Sequence, residues 1–285
     1  MRMQILKQLV QELAPSFLSK IKKELQEPEQ IILEQVIPYY SAGSRFYDLW
    51  HIPFSTRFMI ALCQAEKLER AVFVPAIILH DSGYSKIAQA NNALQKGNIS
   101  TDDRVSHMYF GQLVAEEIFQ RNNGFGLSKA QQERIKALIA THDNPYIGKQ
   151  LTTREEKLHR DADRYYVCSF TSFVKDFLRY VEKEPNLSPE EFMKGRICMF
   201  FLEGEIKEFG FNKKFLPLTS DFKKYKHKYE PMFTSLGKKE VLLQVQERMK
   251  DVEAGLFQMN KKDFKHYCRK RMNEEMQWKM VNESQ

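Results

Sequence analysis

Three times in this chain a serine stands three residues ahead of an acid or amide, at the head of a run whose apolar residues recur every three or four positions. The pairs are Ser100 with Asp103, Ser128 with Gln131, and Ser188 with Glu191. Each pair can satisfy two backbone donors that the start of a helix leaves open. The pattern predicts a helix from Ser100 to about Gln120 and a second from Ser128 to about Thr141. A third opens at Ser188, where Pro189 takes the first helical position and needs no backbone donor. Between the first two, Asn122–Gly126 carries the asparagines and glycines of a chain reversal. Leu6, Leu9, Val10, Leu13, Phe17, Ile21 and Leu25 extend the helical interval to the N-terminal thirty residues, with a break expected near Pro15. No segment alternates strongly enough to require a strand, and no internal repeat is visible. Ten prolines and twelve glycines in 285 residues are too few for a many-turned β architecture. The expected class is all-α.

Charge divides the chain. The net charge of +7 resides in residues 211–285, which hold 17 basic and 10 acidic side chains; residues 1–210 hold 27 of each. An electrostatic case for nucleic acid can therefore be made only for the last quarter. There Phe222, Tyr225 and Tyr229, set among lysines, fall at the spacing of one helix face, which argues for packing rather than for base stacking. Nucleic acid is not expected as a partner. Nor is a membrane, since the longest apolar run, Ala71–Leu79, is too short to span one. The N-terminus lacks the zones of a signal peptide, and Cys63, Cys168, Cys198 and Cys268 form no CxxC pair, so a cytoplasmic location is expected. A polar break at Glu182–Asn186 divides a central region, 41–185, from a basic helical C-terminal region, 186–285. Residues 1–40 read as an N-terminal helical extension.

Histidine placement is the chemical signal. His51 shares an apolar stripe with Phe54, Phe58, Ala61, Leu62 and Ala65, and His80 continues the stripe of Phe73, Ala76 and Ile77. His107 lies over Phe110, Gly111, Val114 and Ile118; His142 completes Ile135, Leu138 and Ile139. Asp163 shares its face with Tyr166, Val167 and Phe170. One inward histidine is an ordinary core residue, but an inward carboxylate must be paired or protonated, because an isolated buried charge is costly. Ligand-type residues on five successive helices point instead to a shared divalent cation, which imidazole nitrogen and carboxylate oxygen both bind well. His80 and Asp81 are adjacent at a helix end, where both can reach one site, and Gly83 fits a helix exit. With two oxygens, Asp81 can bridge two ions.

The order His51, His80-Asp81, His107, His142, Asp163 resembles the HD-domain metal-dependent phosphohydrolase superfamily. Local strings agree: Ala76-Ile-Ile-Leu-His-Asp-Ser-Gly83, His107-Met-Tyr-Phe-Gly-Gln-Leu-Val-Ala115, Leu138-Ile-Ala-Thr-His142 and Asp161-Ala-Asp-Arg164. The resemblance covers about residues 41–176 and implies an HD-domain helical bundle with helical extensions at both ends. It implies one metal on His51, His80, Asp81 and Asp163, and a second on His107 and His142 with Asp81 bridging, the ions being Fe or Mn. Asp161 competes with Asp163, which is favoured by its offset from Arg164 and its apolar face. His159, one turn earlier, reads as an incidental neighbour or an outer partner of the ligands. The implied activity is hydrolysis of a small phosphorylated substrate, a nucleotide or other phosphate ester. Lys86, Arg57 and Arg164 are the candidate cations for its phosphate oxygens, with Asp81 catalytic through the ions. Tyr84-Ser85-Lys86 after Gly83 differs from the lysine that cyclic-dinucleotide hydrolases place directly after this glycine, so no subfamily is indicated. The same ligand pattern occurs in di-iron oxygenases similar to inositol oxygenase, and a regulatory or binding module with a basic C-terminal region is a further alternative. A homo-oligomer is compatible with the sequence.

Overall fold

The structure is a computed structural model, and it describes residues 1–42, 48–90 and 100–277. Every regular element among them is helical and none is a strand, as the helical spacing leads one to expect. The chain forms two compact units, one of residues 10–163 and one of residues 1–9 with 164 onward.

The unit of residues 10–163 is built from most of α1 (Arg2–Lys22), α2 (Glu27–Ala42), α3 (Asp48–Ala65), α4 (Arg70–Leu79), α5 (Tyr84–Ala90), α6 (Thr101–Arg121), α7 (Lys129–Thr141) and nearly all of α8 (Arg154–Tyr165). At its centre is α4, which packs against α2, α3, α6 and α7, and whose residues Val72–Leu79 are all buried. Burying each such aliphatic or aromatic side chain contributes about 1.5–3 kcal/mol, which offsets the proline at position 75 inside the helix. The serine-led starts of α6 and α7 form as reciprocal caps, Ser100 with Asp103 and Ser128 with Gln131. Between these helices Asn123, Gly124, Phe125 and Gly126 all adopt positive φ, which reverses the chain.

Two expectations are corrected here. α1 runs through Pro15 without a break. The carbonyl that loses its partner is that of Gln11, and both Gln11 and Pro15 are exposed, so water can take the vacated bond. The same helix delivers Phe17 to the core, where its ring meets Phe54 edge-on at 4.9 Å and Trp50 at 5.2 Å. Residues 10–40 thus lie in the same compact unit as the histidine-bearing helices. Second, Gly83 is not a left-handed helix exit, since it is absent from the residues with positive φ. Its role is close approach. A Cβ on Gly83 would stand 2.0 Å from the His107 carbonyl oxygen and 2.5 Å from the Gly111 backbone nitrogen. The turn after α4 therefore lies directly on the α6 backbone, and this brings Asp81 beside His107.

In the second unit, α10 (Pro189–Phe200) packs against α11 (Thr219–Tyr225) and α12 (Ser235–Glu253), and α9 (Phe170–Lys183) packs against α13 (Lys261–Glu275). Ser188 and Glu191 cap α10 reciprocally, with Pro189 at its start. The polar stretch 182–186 connects α9 to α10 within this unit. The expected single helix through Tyr229 does not persist. α11 stops at Tyr225, a tight turn follows over Lys226–Lys228, and Tyr229 is extended. Tyr225 closes on α10 at Gly195, where an added Cβ would meet its ring at 3.0 Å, while Lys223, Lys224 and Lys226 stay exposed. Arg248 pairs with Asp251 and with Glu275, each at 2.7 Å; Arg271 and the Tyr267 hydroxyl also reach Asp251, at 2.6 and 2.8 Å. The four cysteines are free and buried. No described helix is long and apolar enough to cross a membrane.

Candidate metal centre

The centre is assembled from five helices of the first unit. His51 comes from the first turn of α3. His80 caps α4 with helical dihedrals (φ −55°, ψ −41°), and Asp81 follows in a run of tight turns to α5. His107 projects from α6, His142 caps α7, and Asp163 lies near the end of α8. The Tyr40 hydroxyl braces the second of these elements, donating to the Ile78 carbonyl at 3.0 Å and accepting from the Asp81 backbone N–H at 3.2 Å. Tyr84 stacks face to face on the His107 ring, centroids 3.9 Å apart and planes 6° from parallel.

Ring orientation follows from local backbone bonds. The Nδ1–H of His80 donates to the Ile77 carbonyl at 2.7 Å, that of His142 to Ile139 at 2.8 Å, and that of His107 to Asp103 at 3.3 Å. Each bond places the ring proton on Nδ1 and aims the Nε2 lone pair into the cluster, as the outer partners of metal-bound histidines do. The Nε2 atoms of His107 and His142 lie 3.0 Å apart. Two lone pairs facing each other at that distance require a proton or a cation between them.

Two groups share Asp81. Its Oδ1 lies 3.4 Å from His142 Nε2 and 3.5 Å from His107 Nε2, and its Oδ2 lies 3.5 Å from His80 Nε2. Asp163 Oδ1 lies 3.1 Å from His51 Nε2 and 3.3 Å from His80 Nε2. His51, His80 and Asp81 form one donor group able to hold a metal, and Asp81, His107 and His142 form another. Spacings of 3.0–3.5 Å suit neighbouring ligand atoms that each lie about 2.1 Å from one ion. The residues present therefore fit a divalent cation in each group.

The carboxylates and imidazoles strongly shift one another's proton affinity. Burial alone would lower the His80 imidazole, but the Asp81 and Asp163 carboxylates outweigh it and push the group up to about 9. Burial works to raise Asp81 and Asp163, yet both are held well below the usual carboxylate range. For Asp81 the cause is the imidazoles of His80, His142 and His107; for Asp163 it is chiefly Arg160, with His51 and His80. His159 is wholly buried behind these rings, 6.0 Å from the His80 ring centroid and 6.2 Å from that of His142. Burial first, then His80 and His142, hold it well below its ordinary value, so it is neutral.

The cations expected from sequence to meet a phosphate have partners of their own. Arg57 lies six residues after His51, about a third of a turn away around α3, and pairs with Glu24 at 2.5 Å. Lys86 is exposed, its Nζ 5.8 Å from the centre of the Tyr39 ring. Arg164 belongs to the second unit, where it pairs with Glu230 and lies 4.9 Å over the Phe200 ring. Sequence reasoning missed the cations that do adjoin the centre. Arg104 and Arg160 hold the two oxygens of Asp143, at 2.5 and 3.1 Å, and lie on the Tyr146 ring at 4.0 and 4.5 Å. Asp143 Oδ2 is 3.8 Å from His107 Nε2. One signal was available: His142-Asp143 repeats the dipeptide His80-Asp81. Asp161 is buried, but Asp163 is the carboxylate that meets His51 and His80.

Comparison of the chain with family models, with curated proteins and with solved structures returned no match.

Proposed function

We propose that this chain is a metal-dependent phosphohydrolase of the HD-domain type, acting on a nucleotide or another small phosphate ester in the cytoplasm. The observation that carries the reading is the pair of donor groups meeting at Asp81, with opposed Nε2 lone pairs that only a proton or a cation can reconcile. In this reading His51, His80 and Asp163 hold one divalent ion, His107 and His142 hold the other, and Asp81 contributes one oxygen to each. When bound, such ions supply Lewis acidity toward phosphoryl oxygens and acidify a water toward neutrality. The chain's own part is orientation. Backbone carbonyls fix three imidazoles, Gly83 holds Asp81 against α6, and stacking on Tyr84 restricts the His107 ring. Arg104, partly exposed beside the centre, could receive a phosphate oxygen, and its fork favours two-point contact.

The test is a panel of nucleotides, dinucleoside polyphosphates and sugar phosphates, assayed for phosphate release with Mn²⁺ and Fe²⁺ supplied. Metal-dependent release that disappears on chelation supports the reading. Metal uptake with no phosphate release, but with oxygen consumption on polyols or phosphonates, would replace it with a di-iron oxygenase.

A further inference from the structure

Arg160 is one of the largest fully buried side chains of the protein, with 1% of its side chain exposed. A guanidinium cannot shed its proton, so its burial must be matched by fixed negative partners. Two carboxylates that meet it lie at opposite halves of the centre. Its Nη1 donates to Asp163 Oδ2 and, at 3.1 Å, to Asp143 Oδ1. Asp163 is the carboxylate of the His51–His80 half. Asp143 adjoins the other half, 3.8 Å from His107, and is anchored independently by Arg104.

The consequence for Asp163 is geometric. One of its oxygens is taken by Arg160, leaving Oδ1 alone to face His51 and His80 at 3.1 and 3.3 Å. Without that hold, the carboxylate could turn about its last torsion, which is soft, and present either oxygen, both, or neither. Arg160 in turn is kept in place by Asp143, which takes a bond from the same Nη1, and by lying on Tyr146.

We propose that Arg160 is a positioning residue that ties the two halves of the centre together, holding Asp163 as a one-oxygen ligand from an anchor, Asp143, that adjoins the opposite half. The proposal rests on the two-ion reading above. It makes an unusual demand: changing Asp143 must weaken an ion that Asp143 does not approach. Partners that orient metal ligands typically contribute 10–100-fold in metal affinity.

The experiment is Mn²⁺ titration of the purified full chain by calorimetry, with the Mn²⁺ resonance spectrum as a second readout. A His107→Ala background should leave one ion on His51, His80, Asp81 and Asp163, and it removes the imidazole that Asp143 Oδ2 approaches at 3.8 Å. In that background Asp143→Asn should weaken the remaining ion by about 10–100-fold and alter its spectrum. Arg160→Gln should do the same, Arg160→Lys should recover part of the loss, and Asp143→Asn with Arg160→Gln together should cost no more than Arg160→Gln alone. Asp143→Asn is nearly isosteric, so it carries the test if Arg160→Gln fails to fold by circular dichroism. If His107→Ala binds one Mn²⁺ and Asp143→Asn leaves that affinity unchanged, the tie is overturned while the metal reading stands. If the wild-type chain takes up no Mn²⁺ or Fe²⁺, the metal reading falls and the tie falls with it.

Discussion

Both compact units bury ionisable groups, but they do so in opposite ways. In the second unit Arg248, 4% exposed, meets Asp251 and Glu275, and Arg271 and Tyr267 take the other side of Asp251. Cations face carboxylates, so the charges are matched within the network. In the unit of residues 10–163, four imidazoles and two carboxylates converge, and the backbone bonds that orient His80, His107 and His142 turn acceptor atoms toward one another. That set closes only when a proton or a cation lies between the facing acceptors. Buried charge of the first kind is costly to break once formed; convergence of the second kind forms donor groups that could hold a metal ion. Arg160 shows the boundary between the two, since it uses complementary pairing to set the geometry of a ligand.

The sharpest way to break this contrast is at Asp81, the residue both donor groups share. Asp81→Ala should remove bound metal and turnover entirely while helical content by circular dichroism stays near wild type; full occupancy in the variant would dismiss the site. His107→Ala should lower metal content from about two ions per chain to about one, and elemental analysis giving one ion in both proteins would reduce the centre to a single-metal site. In that charge-matched network Arg248→Ala should instead cost about 3–5 kcal/mol of stability in urea unfolding, because it takes from buried Glu275 the cation that pairs with it and leaves Asp251 to Arg271. Its metal content should not change. Mn²⁺ at a hundredfold excess over its dissociation constant should add about 2.7 kcal/mol to folding stability, an effect that chelation reverses and that Asp81→Ala should lack. The smallest effect belongs to the Arg196–Asp176 pair of the second unit. Burial raises Asp176, but Arg196 outweighs it and holds the carboxyl below its ordinary value. A folded-state value below the unfolded one contributes stability above about pH 4 and loses it as pH falls through the folded value. Asp176→Asn should therefore be less stable than wild type at neutral pH, and the gap should shrink under acid; a gap independent of pH would show that the pair contributes nothing through charge.

Much of this was legible before any coordinates. Helix starts at Ser100, Ser128 and Ser188 are local chemistry, decided within four residues, and they form where the sequence puts them. The inward faces of His51, His80, His107 and His142 follow from the 3.6-residue period, which needs no knowledge of what lies opposite. What lies opposite is the part that local pattern cannot supply. Proximity in sequence suggests Arg57 and Lys86 as phosphate contacts, but it says nothing of the Arg57 partner Glu24, 33 positions away. Asp143, Arg104 and Arg160 carry no signal of their burial, because a surface-type charge cannot be told from a buried one until its partners, 17 and 39 residues distant, are in place. Gly83 is the clearest case. Its composition signalled a special backbone position, and the period of α4 placed it at a helix end. But its purpose is to let one backbone lie on another, at His107 and Gly111, and a contact between segments more than twenty residues apart exists only once the helices have packed.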